Sequence, residues 1–261
     1  MRYRAFIGNF VLVAVLLSPA ARASDYDRDT ALRASQAAVG QVLGDYTFRD
    51  TRGQPFRLQS LRGKPMILSM IYTSCHHVCP LITQNLEDKV AIARDAFGED
   101  SFDVVTIGFD WPVDTAERMR IYASSRGIDE TRWHFLSGDE SVIAAVARDV
   151  GFQYFASAKG YDHLSQTTVV DAAGRVYRQV YGQDFDAPAL VEPLKELIFD
   201  TPRDAGLVEH WVDTLRFFCT VYDPNTGRYR FDYSVFMTVI VGLICLGAIL
   251  YFVVHEWRRA V

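Results

Sequence analysis

Cysteine is scarce in this sequence, with four among 261 residues, and no CxxCH motif occurs. The absence of that motif argues against covalently attached haem. The sequence also lacks internal repeats, low-complexity tracts and an excess of positive charge, because its formal net charge is −5. A negative protein does not attract a phosphate backbone, so nucleic-acid binding is not expected. With 49% hydrophobic and 23% charged residues, the chain has a globular composition.

Long apolar runs occur only at the two ends of the chain. Residues 1–23 combine a basic start, an apolar stretch and an A-x-A cleavage site, which predicts a secretory signal peptide; an uncleaved anchor is the alternative. Residues 233–254 carry no charge and are numerous enough to predict a transmembrane helix, followed by a cytoplasmic tail at 255–261. Together these segments place residues 24–232 on the periplasmic side of a bacterial-type inner membrane.

Between these ends, the hydrophobic pattern alternates between strand and helix periods. Residues 24–39 are a polar leader that ends in a short helix, and 204–232 form a juxtamembrane segment. The domain at 40–203 begins with a hairpin around Gly53. Strands are then predicted at 66–72, 102–110, 133–138 and twice within 165–182, and helices at 76–96, 114–125, 141–151 and 187–199. This order predicts a mixed α/β sheet covered by helices on both faces.

Two cysteines, Cys75 and Cys79, follow the first buried strand and open the next helix. Their i, i+4 spacing places both sulfurs on one face of the first turn, where they could form a disulfide or bind one metal ion. The positive end of the helix dipole favours thiolate over thiol. Two thiolates are soft ligands that suit Cu(I), and one imidazole would complete a three-coordinate site.

Histidines supply the candidate third ligand. His163 ends an irregular segment just before a predicted strand, where the chain could return to the cysteine helix. A surface or hydrogen-bonded loop histidine is the alternative role. His76 and His77 could add a fourth ligand, and a set of two cysteines and two histidines would favour zinc.

The other two cysteines have less defined settings. Cys245 lies within the predicted membrane span, where it is most simply a small apolar side chain. Cys219 lies 14 residues before that span, as a free or dimer-forming thiol or as a functional ligand.

Four segments carry a resemblance to a known family. They are SLRGKPMILSMIYTSCHHVCPLIT, FDVVTIGFDWPVDTAERMRIYA, WHFLSGDES and YDHLSQTTVVDAAGRVYRQVYG. Over about residues 40–200 the chain resembles the SCO/SenC proteins. The resemblance implies a thioredoxin-like fold and copper, as Cu(I) or Cu(II), bound by Cys75, Cys79 and His163. It also implies a membrane-tethered metallochaperone that assists assembly of the binuclear copper site of cytochrome c oxidase.

The resemblance further implies partners: the copper subunit of the oxidase or a similar cuproprotein, with an upstream copper donor or thiol reductant. Asp110 and Asp114 match an acidic segment of the family, although a strand end and a helix N-cap explain them equally well. For Asp114, with Glu117 three residues later, the sequence predicts a capping box. Two features depart from the family: His76 replaces a proline that often follows the first cysteine, and the predicted anchor is C-terminal.

A second function fits the same cysteines. An extracytoplasmic thiol-disulfide oxidoreductase would use Cys75 and Cys79 as a redox pair to keep the cysteines of a cuproprotein reduced. The two functions differ at His163, because thiol exchange needs only the cysteines. If the chain is an enzyme, we expect a thiol-disulfide reductase, since nothing in the sequence indicates a peroxide pocket.

Overall fold

The computed structural model describes residues 26–75, 78–199, 220–223, 228–231 and 233–260. The predicted signal peptide lies outside the described residues, as do His76, His77 and Cys219.

Eleven strands and six α-helices are present in the described part of the chain. The strands are β1 (Thr47–Arg49), β2 (Pro55–Arg57), β3 (Met66–Ile71), β4 (Asp103–Gly108), β5 (Trp133–Leu136), β6 (Tyr154–Ser157), β7 (Gly160–His163), β8 (Gln166–Val170), β9 (Val176–Tyr181), β10 (Thr220–Asp223) and β11 (Arg228–Phe231). The helices are α1 (Arg28–Ala37), α2 (Val78–Phe97), α3 (Ala116–Ser124), α4 (Glu140–Asp149), α5 (Ala187–Phe199) and α6 (Ser234–Ala260), and Leu58–Leu61 form one 3-10 turn.

A five-stranded mixed sheet in the order β5-β4-β3-β8-β9 forms the centre of the fold. Strands β3, β4 and β5 are parallel, whereas β8 is antiparallel to β3 and to β9. Every residue of β3, β4 and β8 is buried, as expected of strands covered on both faces. Helix α5 contacts α2, β8 and β9, and α3 contacts β5. The predicted mixed α/β sheet with flanking helices is confirmed.

Two hairpins lie outside this sheet within the domain. The predicted hairpin around Gly53 is confirmed as β1 paired with β2. The segment before His163, predicted to be irregular, instead forms the hairpin of β6 and β7, in which Tyr154 pairs with His163. Its turn ends at Gly160, whose φ of 116° favours glycine. The aromatic residues on both strands of this hairpin were the sequence signal for it.

The start of α3 corrects the prediction for Asp114. Thr115 caps this helix, and its side chain accepts a hydrogen bond from the Arg118 amide at 3.3 Å. Asp114 is not the cap because its carboxylate is buried, with 1% of the residue exposed, and binds groups outside the helix. Glu117 does not form the predicted capping box either; its carboxylate pairs with Arg120.

Helix α6 covers the segment predicted to cross a membrane. The helix is 27 residues long, and its last turn carries Arg258 and Arg259. Within the residues described, however, no helix combines the length and the apolar composition that a membrane crossing requires. The predicted transmembrane helix at 233–254 is therefore not supported.

Helix α1 packs against the sharp turn that ends α4. Gly151 in that turn has a φ of 65°, and a Cβ atom there would lie 2.4 Å from the carbonyl oxygen of Ala34. This close approach explains why glycine is needed at the position, since Gly127 has nearly the same φ, 66°, but open space around it.

Replacing Gly151 with alanine is expected to lower the free energy of unfolding by about 2 kcal/mol more than the same change at Gly127. Both variants carry the strain of a left-handed backbone, about 1–2 kcal/mol. Only Gly151→Ala also collides with the backbone of α1, and such overpacking costs about 1–3 kcal/mol. Urea unfolding of both variants measures the difference, and equal losses would show that α1 does not depend on this contact.

A buried acid lies at the opposite end of β4 from the cysteines. Asp103 is 2% exposed, and its carboxylate lies 3.3 Å from His134 Nε2 and 3.5 Å from Arg132 Nη1. Arg132 also pairs with Asp100. Burial raises the pKa of Asp103, but His134 and Arg132 together lower it by more than burial raises it. The net pKa therefore lies below its ordinary value of 3.8.

Asp103→Asn is expected to lower the free energy of unfolding at pH 7 by about 2 kcal/mol, the value of a charge-assisted hydrogen bond. Because the folded-state pKa is depressed, the carboxylate stabilises the fold above its unfolded pKa and loses this effect as pH falls through the folded value. The wild type and the variant should therefore converge below about pH 4 in urea unfolding. A constant difference from pH 7 to pH 3 would contradict the assignment.

Candidate metal centre

The two cysteines lie where strand β3 passes into helix α2. Cys75 follows the strand in a short loop, and Cys79 lies in the first turn of the helix. The Cys79 amide donates a hydrogen bond to the Cys75 sulfur, with N and Sγ 3.4 Å apart. This contact places the Cys75 sulfur against the positive end of the helix dipole, which favours the thiolate form.

The two sulfurs differ in exposure. No disulfide joins the two cysteines in the structure, and Cys75 is partly exposed whereas Cys79 is fully buried. Burial raises the pKa of the Cys79 thiol, and a hydrogen bond from the Tyr72 backbone offsets part of that effect. An incoming metal or thiol therefore reaches Cys75 first and Cys79 second.

Tyr72 connects the cysteine loop to the hairpin that carries His163. Its ring lies 5.3 Å from the Tyr161 ring and 6.1 Å from the His163 ring, measured between centroids. Burial raises the pKa of Tyr72 to about 12, and a side-chain hydrogen bond with Cys75 adds to the rise. The phenol is therefore protonated at neutral pH and available to donate to the sulfur. The sequence analysis missed this residue.

His163 packs into an aromatic cluster at the end of β7. Its ring lies 5.3 Å from the Phe152 ring and 5.5 Å from the Phe109 ring. Its Nδ1 lies 3.1 Å from the carbonyl oxygen of Leu164, which fixes Nδ1 as the donor and leaves Nε2 to accept. Burial lowers the pKa of His163, so the imidazole is neutral at pH 7, which is the form that binds a metal.

The three predicted ligands occupy one end of the sheet, and Tyr72 contacts both Cys75 and His163. Among the described residues, however, no three His, Cys, Asp or Glu side chains are grouped closely enough to hold a metal ion. The ligand set of Cys75, Cys79 and His163 therefore stays a prediction.

The two aspartates that follow β4 connect the parts of this site. Asp114 Oδ1 accepts hydrogen bonds from the Thr73 amide at 2.8 Å and the Thr73 hydroxyl at 2.7 Å, while Oδ2 accepts from the Asp110 amide at 2.9 Å. Asp110 in turn accepts from the Tyr161 hydroxyl at 2.9 Å. A Cβ at Gly108 would lie 2.5 Å from the Asp114 Cβ, so glycine there lets Asp114 approach the strand.

The fold and the cysteine pair define a thioredoxin-like protein with two thiols at the start of the helix that follows the first strand of its central sheet. The SCO1/SenC family model matches residues 34–198, and the chain belongs to this family. Copper binding is a property of the family, and its members are involved in copper assembly of cytochrome c oxidase.

Individual relatives agree with this assignment. The chain is 30% identical over 181 residues to the mitochondrial SCO2 homolog of Mus musculus, and the match spans 66% of each protein. A putative electron transfer protein from Aquifex aeolicus VF5 is 28% identical, with a TM-score of 0.56 over 60% of this chain and 92% of the other. Arabidopsis thaliana ScoI, solved with copper bound, has the same fold at 23% identity, with a TM-score of 0.50 over 61% and 99% of the two chains.

Proposed function

We propose that this protein binds one copper ion through Cys75, Cys79 and His163 and transfers it to the copper subunit of cytochrome c oxidase or a similar cuproprotein. The observation that carries the proposal is the pairing of an accessible thiol with a buried one at a helix N-terminus, linked through Tyr72 to a neutral imidazole. Membership of the SCO1/SenC family supports the choice of metal.

The donor set suits copper as cargo. Thiolates and imidazole are the ligand types that Cu(I) prefers over hard oxygen donors. The Cys75 sulfur is already hydrogen-bonded at the helix N-terminus, and His163 needs no deprotonation before it binds. Cys79, whose thiol pKa is raised by burial, must still lose its proton when the metal binds.

Transfer would proceed by exchange of ligands. Because Cys75 is the accessible sulfur, a thiolate of the acceptor can replace it first, after which Cys79 and His163 release the ion. Each replacement exchanges one metal bond for another, so no bare copper ion is formed. We place this exchange on the extracytoplasmic side because residues 1–23 have the pattern of a signal peptide.

An anaerobic titration of the full-length protein with Cu(I), in competition with a chromophoric chelator, tests the proposal. We expect one tight equivalent, which should then pass to the isolated copper domain of an oxidase subunit when that domain is added. Binding no tighter than that of an unrelated dithiol, or copper that stays on the protein, would contradict it.

The same geometry favours a second candidate, a thiol-disulfide oxidoreductase. The Cys75 thiolate would attack an acceptor disulfide to form a mixed disulfide, and Cys79 would then displace the acceptor thiol, so that two electrons and two protons pass to the acceptor. The exposed and buried sulfurs suit the attacking and resolving roles. His163→Ala separates the two candidates, because it should leave exchange with glutathione unchanged while weakening copper binding.

A further inference from the structure

The hairpin that carries His163 is not part of the central sheet. Strands β6 and β7 form a separate two-stranded sheet, and the chain returns to the central sheet only at β8, which begins three residues after His163. The pairing of β8 with β3 limits how far His163 can lie from the cysteines, but the rest of the hairpin is held by side-chain contacts. One of them is packing among aromatic rings, which allows small displacements because it has little directionality.

A directional connection is also present, in the form of a chain of hydrogen bonds. It runs from Thr73, two residues before Cys75, to Asp114, then to the amide of Asp110, and from the Asp110 carboxylate to the Tyr161 hydroxyl, two residues before His163. The distances are between 2.8 and 2.9 Å along this path. One end of this hydrogen-bond path is therefore close in sequence to Cys75, and the other end is close to His163.

The burial of Asp114 makes this connection rigid. The residue is 1% exposed, and its carboxylate accepts three hydrogen bonds in total from Thr73 and Asp110. A buried carboxylate without such partners would be costly, so each donor is held in place. The Asp110 carboxylate then presents a fixed acceptor to the hairpin.

We propose that Asp110 and Asp114 are positioning residues that fix the His163 hairpin relative to the cysteine loop, so that the imidazole is kept near the two thiols before copper binds. This inference rests on the proposed function, since it assigns the aspartates a role in the placement of His163. The aspartates themselves are not ligands, and they act through Thr73 and Tyr161.

Tyr161→Phe removes the hydroxyl at the end of this hydrogen-bond path and keeps the aromatic ring. In a Cu(I) competition titration of the full-length protein, we expect its affinity to fall about tenfold, as for other residues that orient a metal ligand. Asp110→Ala should have a similar effect, whereas Asp110→Asn should retain most of the affinity because its amide oxygen can still accept from Tyr161. Tyr177→Phe is the matched control. It also removes a tyrosine hydroxyl that donates to a carboxylate, but this hydrogen bond joins Tyr177 on β9 to Glu196 on α5 and is not part of the path to His163.

The decisive measurement is the Cu(I) affinity of a double variant that combines Tyr161→Phe with His163→Ala. If the aspartates act through His163, Tyr161→Phe should cause no further loss there. Equal losses in both backgrounds would show a general loosening of the fold and would overturn the proposal, as would a Tyr161→Phe variant that binds like the wild type.

A copper-independent measurement keeps this test separate from the proposed function. If the wild type and His163→Ala bind copper equally, the proposed function has failed, and amide hydrogen exchange then decides the inference. Asp114→Asn, which replaces one accepting oxygen with an amide nitrogen, should speed exchange across residues 160–163, to which Asp114 is linked through Asp110, by at least about tenfold. Unchanged exchange there would overturn the inference.

Discussion

Replacing Cys75 or Cys79 with serine is expected to weaken Cu(I) binding at least about 100-fold, or about 2.8 kcal/mol. A hydroxyl is a hard and weakly acidic donor, so each variant removes a soft ligand without replacing it. Cys75→Ser should also lose the sulfur that accepts the Cys79 amide. Competition titration against a chromophoric chelator measures both losses.

Cys245→Ser is the matched control for these two variants. Cys245 is an exposed thiol on α6, far along the chain from the cysteine loop. The variant should bind Cu(I) like the wild type. A loss equal to that of Cys75→Ser would place the metal elsewhere, and tight binding by both Cys75→Ser and Cys79→Ser would contradict the proposed site.

His163→Ala is expected to weaken Cu(I) binding at least tenfold, about 1.4 kcal/mol. The rate at which Cys75 and Cys79 exchange with glutathione should stay unchanged. The imidazole is neutral and its Nε2 is available, because Nδ1 is directed to the Leu164 carbonyl. Removing it leaves a two-coordinate dithiolate site. Titration of the variant and glutathione exchange measured in parallel report on the two properties separately.

His255→Ala provides the comparison for this prediction. His255 lies on α6, where its ring contacts the Tyr251 ring. We expect no change in copper affinity for it. If His163→Ala behaves like His255→Ala, the oxidoreductase candidate replaces the copper-transfer proposal.

The spacing of apolar residues in the sequence was sufficient to predict the central sheet. The apolar run at β3 and the helical spacing of apolar residues at α4 and α5 predicted elements that the structure confirms. These signals are local, because the spacing of apolar residues within a short segment indicates whether a strand or one face of a helix is buried. The position of Cys75 and Cys79 at a strand-to-helix junction followed from the same local signals.

Contacts between distant residues could not be predicted in this way. Asp114 follows the local rule for a helix cap, yet its carboxylate binds Thr73, 41 positions away in sequence. Tyr72 and Tyr161 resemble ordinary buried aromatics until the fold places them between the cysteines and His163. The membrane span predicted from composition alone was not supported either.

X-ray absorption spectroscopy of the full-length protein loaded with one equivalent of Cu(I) tests the proposed copper site most directly. We predict a copper ion with two sulfur ligands and one nitrogen ligand, and a spectrum of His163→Ala from which the nitrogen contribution is lost. A wild-type site with sulfur ligands alone, or a nitrogen contribution that persists in His163→Ala, would contradict the assignment of His163 as the third ligand.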